Sequence, residues 1–201
     1  MAGRLMARNS PARRVPSHGT HLMGTTYAID LIPVDERGRS APWNWRALVG
    51  VEPAARFVGF GAPVFAPCAG RVVIVHDGEA DHEARRSQLT LIPYMARQPD
   101  RIRAGAAGVA GNHVVIAIDP VGPFVLLAHL RRGSIRVRPD DRIEVGAEVA
   151  ACGNSGNSTQ PHLHLQATDS TDWNTARGLP IAFRTARGLE LPRESEIVTV
   201  R

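Results

Sequence analysis

Five histidines and one aspartate stand where their chemistry can combine. The sharpest arrangement is Pro161-His162-Leu163-His164-Leu165-Gln166. On a β-strand successive side chains alternate faces, so His162 and His164 point one way while Leu163 and Leu165 turn to the core. Two imidazoles about 6–7 Å apart on a rigid strand suit one metal ligand beside one acid/base group, or two ligands; two merely exposed histidines are the plainer alternative. His129 closes the apolar run from Phe124 to Ala128 before the turn Arg131-Arg132-Gly133, a position open to a satisfied core histidine or to a reactive one. Upstream, Ser17-His18-Gly19-Thr20-His21 precedes Asp30, which interrupts an apolar strand reading YAI-LI. A carboxylate buried unpaired in such a run costs several kcal/mol, so Asp30 is expected to face a cation or strong donors. One carboxylate with several histidines is the donor set of a catalytic zinc whose fourth position is left to water. The histidines outside the metal's own shell would then move protons or steady an oxyanion.

Other chemistries lack their residues. There is no GxSxG nucleophile elbow, and the GNSGNS stretch has neither the lysine nor the helix that a phosphate-binding loop needs, so it reads as a polar turn leading into the HxH strand. A carrier domain would need an exposed lysine, and the chain has none; a phosphohistidine at His162 or His164 stays open.

The elements that must position these groups read as β-structure. YAIDLIPV, APVFAP, GRVVIVHDG, NHVVIAID, FVLLAHL and HLHLQAT are short, rich in Val, Ile and Leu, and bounded by Gly, Pro, Asn or Asp, the pattern of an antiparallel β domain. GAPVFAPCAGRVVIV reads as two adjoining strands. The stretches 43–60 and 82–107 show no clear alternation and are expected as long excursions walling a groove. Residues 1–16, which carry Arg4, Arg8, Arg13 and Arg14 together with Pro11 and Pro16, show no periodicity and are expected to be a flexible basic arm ahead of one domain over 17–201.

At 201 residues a second large domain is not expected. All 24 basic residues are arginine, and the net charge is +5. That surplus favours an anionic polymer such as a cell wall, but the arginines are scattered and no aromatic-plus-basic stripe accompanies them, so no nucleic-acid partner is expected. Cys68 and Cys152 form no metal-binding cluster and are read as two buried thiols or one disulfide. No run is long enough for a membrane span, and the N-terminal residues lack the apolar stretch of about 7–15 residues that an export signal needs.

Taken in order, the His-to-Asp segment ending YAID, GAPVFAPCAGRVV, GNHVVIAI, LLAHL, VGAEVAACGNSGNS and PHLHLQ resemble the lysostaphin-like zinc metallopeptidases, which cut peptide cross-links in bacterial cell walls. The resemblance runs from His18 to about Phe183. It implies a compact two-sheet antiparallel fold of the duplicated hybrid motif type, Zn²⁺ as cofactor, and peptidoglycan or another peptide as substrate. Carried over residue by residue, it makes Asp30 and His164 zinc ligands and His129 with His162 the pair that activates water and stabilises the tetrahedral intermediate. The first ligand departs from the family's short form, in which histidine precedes aspartate by four: here His21 is nine residues and His18 twelve residues before Asp30. An insertion must separate the two ligands, and His18 is preferred to His21 because the glycine beside it mirrors the family's turn. A non-catalytic wall-binding or partner-activating module is the rival reading. The substrate class implies the cell envelope or the extracellular space, while the lack of a visible export signal leaves the cytoplasm open. Oligomeric state is not legible.

Overall fold

The computed structural model describes residues 1–87, 89–92, 103, 105–186 and 188–200. Its strands, in chain order, are β1 (Gly3–Arg8), β2 (Ile29–Pro33), β3 (Pro63–Phe65), β4 (Gly70–His76), β5 (Asn112–Ala117), β6 (Phe124–Leu130), β7 (Arg142–Ile143), β8 (Glu148–Ala151), β9 (Leu163–Thr168), β10 (Gly178–Leu179), β11 (Phe183–Thr185), β12 (Gly188–Glu190) and β13 (Ile197–Val200). Among the described residues the short helices α1 (Arg46–Val49) and α2 (Gly105–Ala110) lie between them. The six apolar runs of the sequence all contain strands, and the antiparallel β reading stands.

Among the described residues the principal sheet has nine strands, in the order β13-β1-β2-β9-β6-β5-β4-β7 with β10 added beside β9. β3 and β8 form a second, two-stranded sheet, and β11 with β12 a third. The adjoining strands β3 and β4 thus enter different sheets. Strand alternation sorts the residues of the principal sheet onto two faces. Leu5, Ile29, Leu31, Val114, Ile116, Leu127, Leu163 and Leu165 pack with Val64 of β3 and Val149 of β8 into the main core. The opposite face carries Asp30, Leu126, Ala128, His164 and Gln166. Burying each large aliphatic group stabilises the fold by roughly 1.5–3 kcal/mol, so a register slip that exchanged the faces would be strongly disfavoured.

The N-terminal stretch corrects an expectation. Residues 3–8, expected within a flexible arm, form β1, which pairs with β2 (Ala7 opposite Leu31) and with β13 (Leu5 opposite Val198). The physical reason is alternation: Leu5 and Ala7 are buried while Arg4 and Arg8 are exposed, and the arginines masked an amphipathic strand. The two cysteines are free thiols, with burial pushing that of Cys152 up to about 12.

The excursion 43–60 contains α1 and a 3₁₀ turn at Ala54–Arg56. It is tied to the start of the 82–107 stretch by a bridge between Glu52 and Ala84 and by the Arg86–Glu52 ion pair. Part of 82–107 lies outside the described residues. Among the described residues no helix is long and apolar enough to cross a membrane.

Candidate metal centre

Three neighbouring strands bring the predicted residues together. In the β2–β9 register Asp30 stands opposite His164, and in the β6–β9 register Ala128 does. Opposed residues share a face, so the carboxylate, the imidazole and the end of β6 meet on the side away from the main core. His162 lies two residues before His164, where alternation turns it to the same face, as the HxH spacing predicted.

His129 reaches this face by a different device. Between Asn112 opposite Leu130 and Val114 opposite Leu127, β6 holds one residue more than β5. His129 has φ 61°, a left-handed conformation costing on the order of 1–3 kcal/mol in a non-glycine residue. The bulge lets Ala128 and His129 lie on the face of Asp30 and His164 while Leu130 returns to the core, and bulges commonly re-aim side chains in this way beside functional sites.

The polar contacts converge on one oxygen. Asp30 Oδ1 lies 2.9 Å from His164 Nδ1, 3.2 Å from His18 Nε2 and 3.5 Å from His162 Nε2. Asp30 Oδ2 accepts a hydrogen bond from Asn9 Nδ2 at 2.7 Å. The His129 ring centroid lies 4.7 Å from that of His162 and 5.8 Å from that of His164. His18, not His21, joins the group; His21 Nδ1 instead contacts Thr26 Oγ1 at 3.0 Å.

What the far ring nitrogens touch assigns the protons. His129 Nδ1 meets the Ser155 carbonyl at 2.9 Å and His162 Nδ1 the Gln160 carbonyl at 2.7 Å, and a carbonyl only accepts. Gln166 donates its amide to the Met23 carbonyl, so its Oε1 accepts from His164 Nε2 at 2.9 Å. Ser17 gives its hydroxyl proton to the Thr25 carbonyl and accepts from His18 Nδ1 at 3.0 Å. All four imidazoles therefore hold an N–H on the outer nitrogen. In neutral rings the inner nitrogen is then a lone pair, and three of these face an ionised carboxylate oxygen that can also only accept. Such a set is repulsive until positive charge lies among the lone pairs, which is the donor pattern of a metal site with hydrogen-bonded ligand histidines.

The donor chemistry fits zinc. One atom each from His18, Asp30 and His164 lies within 4.8 Å of the other two, and two nitrogens with one carboxylate oxygen is a set that zinc accepts with a position left open. Burial alone would raise the Asp30 carboxyl, but His162 and His18 outweigh it and hold the group well below the usual carboxylate range. Burial, with His162 and His164 adding to it, drives the His129 imidazole well below its ordinary value. Burial acts against charge on His162 too, yet the Asp30 carboxylate prevails and raises it.

A cavity of about 310 Å³ opens over these groups, lined also by Asn9, Leu22, Met23, Val109, Asn157 and Trp173. The 43–60 excursion, expected as a wall, contributes none of its described lining; the residues following His18, the end of α2 and the loop after β9 take that place. The GNSGNS turn does more than lead into β9, since Ser155 and Ser158 contact the outer nitrogens of His129 and His162. Asn9 and Gln166 were not singled out in the sequence, because amides carry no titratable or ligand signature; the strand period placing Gln166 on the face of His164 was the one available hint.

Residues 100–175 match the model of Peptidase family M23, which bears out the resemblance drawn from the motifs. The matched stretch contains His129, His162 and His164; His18 and Asp30 lie outside it and reach it through the fold. Solved structures similar to this chain include the catalytic domain of the prophage-encoded M23 protein EnpA from Enterococcus faecalis, at 19% identity over 61% of this chain and 69% of that one, with TM-score 0.41. Another is the catalytic domain of the antimicrobial peptidase lysostaphin from Staphylococcus simulans, at 17% identity over 76% of this chain and 74% of that one, with TM-score 0.43. A zinc containing peptidase from Vibrio cholerae is 19% identical over 76% of this chain and 45% of its own, with TM-score 0.38. No curated protein matches the chain.

Proposed function

We propose that this protein is a zinc-dependent endopeptidase that cleaves peptide bonds in peptidoglycan cross-links, with the metal held by His18 Nε2, Asp30 Oδ1 and His164 Nδ1. The observation that carries the reading is the convergence of inner imidazole nitrogens on one carboxylate oxygen while every outer nitrogen is spent on a protein acceptor. A zinc ion bound there would supply Lewis acidity and a bound water of pKa near ~7.

The remaining residues divide the proton work. His129 is kept neutral by burial among other imidazoles, so its inner nitrogen accepts the proton of the attacking water. His162, biased toward the charged form by Asp30, donates a hydrogen bond to the oxyanion that develops on the scissile carbonyl. Gln166 and Ser17 fix the rings of His164 and His18, and Asn9 occupies Asp30 Oδ2 so that Oδ1 faces the metal. The net charge of +5 favours an anionic wall polymer.

The test is muropeptide analysis of purified sacculi incubated with the protein, with chelator, and with chelator followed by zinc. Loss of cross-linked species that chelator blocks and zinc restores supports the reading. A folded, zinc-loaded protein that leaves every cross-link intact refutes it.

A further inference from the structure

The cavity is chemically uneven along the strands that form its floor. Over Ala128 and His164 it is a histidine site. One step along, at the register pair Leu126 and Gln166, apolar groups gather beside the engaged Gln166 amide: Leu126 and Ala110 pack together and Trp173 rests against their cluster, while Val109, Leu22 and Met23 also line the cavity. The displacement is two residues on each strand, about 7 Å, and a leucine flanking a scissile carbonyl spans most of it, its methyl groups ending roughly 5 Å from that carbonyl.

This wall is built in advance of any ligand. The Trp173 ring stands edge-on to His113, centroids 6.1 Å apart, and His113 is buried with Nδ1 on the Gly111 carbonyl at 2.7 Å. Met23 is held by the bond from Gln166 to its carbonyl. Gly24 follows at φ 73°, so close to Thr168 that any side chain there would collide with the Thr168 methyl. Leu22 and Met23 belong to the insertion that lengthens the His18-to-Asp30 spacing, so the departure from the short family form supplies part of the wall.

We infer that this end of the cleft is a subsite for an aliphatic side chain beside the scissile bond, so that the substrate is a peptide with an apolar residue there rather than a run of glycines. The inference rests on the peptidase reading and deepens it. A glycine at that position leaves the wall facing water, whereas a leucine buries several methyl groups against it, worth ~10-fold or more in kcat/KM.

The experiment compares three otherwise identical peptides with Gly–Gly, Leu–Gly and Gly–Leu at the cleaved bond, assayed with zinc-loaded protein. One leucine peptide is expected to be cleaved at least ~10-fold better than Gly–Gly. Trp173→Ala should bring that ratio to within about twofold, and Trp173→Phe should keep most of it; a ratio is insensitive to partial loss of active protein. Equal cleavage of all three, or a leucine preference that Trp173→Ala leaves intact, overturns the subsite while leaving the peptidase standing. If no peptide is cleaved, the sacculus assay alone judges the peptidase reading, and the subsite is judged by titrating the leucine peptides against the Trp173 indole NMR signal. A saturable shift absent with the Gly–Gly peptide sustains it, and none discards it.

Discussion

Among the described residues two carboxylates are buried, Asp30 and Glu52, and their surroundings differ in kind. Glu52 is 0% exposed and meets Arg86 through two nitrogens, Nη2 on Oε1 at 2.6 Å and Nε on Oε2 at 2.7 Å, with Asn44 adding a third donor. Burial would raise its pKa, but the Arg86 hydrogen bonds prevail and lower it. A guanidinium is permanently charged and matches a carboxylate in a fixed fork, so this site is closed by the protein's own atoms and braces the 43–60 stretch to the 82–92 stretch. Asp30 is 7% exposed, yet its near neighbours are imidazoles that are not permanent cations and whose outer nitrogens are engaged elsewhere. The lesson is that burial of an acid does not mark a functional site; the kind of partner does. A carboxylate faced by imidazole nitrogens beneath a cavity fits an external cation, as proposed for Asp30, and one clasped by arginine does not.

The largest expected effect breaks the comparison at Asp30. Asp30→Ala should abolish zinc retention through dialysis, measured as metal per chain, and bring hydrolysis below detection. A variant that holds zinc as tightly as the parent would put Asp30 in the class of Glu52. Next, His129→Ala should keep the metal but lower turnover by about 10²–10⁴-fold, the usual contribution of a positioned acid/base. Unchanged turnover in a peptide-cleavage assay would remove His129 from the mechanism.

A smaller effect sharpens the other side. Glu52→Gln strands the Arg86 charge; because Arg86 is only partly buried, the cost should be about 2–3 kcal/mol, below the 3–5 typical of a fully buried pair. For a chain of this length that is a fall in Tm of roughly 5–10 °C, with zinc content unaltered. The folded pKa of Glu52 lies below its ordinary value of 4.5. Its stabilisation is therefore complete above that pH and is lost as pH falls through the folded value. The Tm gap between parent and variant should narrow on acidification below about pH 4.5, and a gap that is constant with pH would deny the ion pair its role.

The two carboxylates were unequally legible in the sequence. Asp30 sits within an apolar strand run, where an acid stands out, and His162 with His164 shows the period of two that fixes a shared face. Glu52 lies in a stretch without periodicity, and its partner Arg86 is far along the chain, so nothing local linked them. His129 was visible as the residue closing a strand, but its presentation depends on a left-handed bulge that no residue type announces. His18 and His21 were both open at sequence level because the insertion between histidine and aspartate hides which loop conformation closes. β1 was missed where its alternation was readable, since Arg4 and Arg8 on the outward face looked like a solvated tail beside the prolines that follow.

The central claim is that the inner nitrogens of His18 and His164 share a metal with Asp30. Anomalous diffraction from crystals of the dialysed, zinc-loaded protein, recorded at the zinc absorption edge, tests it most directly. The account predicts one strong peak per chain at bonding distance from His18 Nε2, Asp30 Oδ1 and His164 Nδ1, and none at Glu52. A peak bound by His21 in place of His18, or no peak at Asp30 in a crystal soaked with zinc, would contradict it.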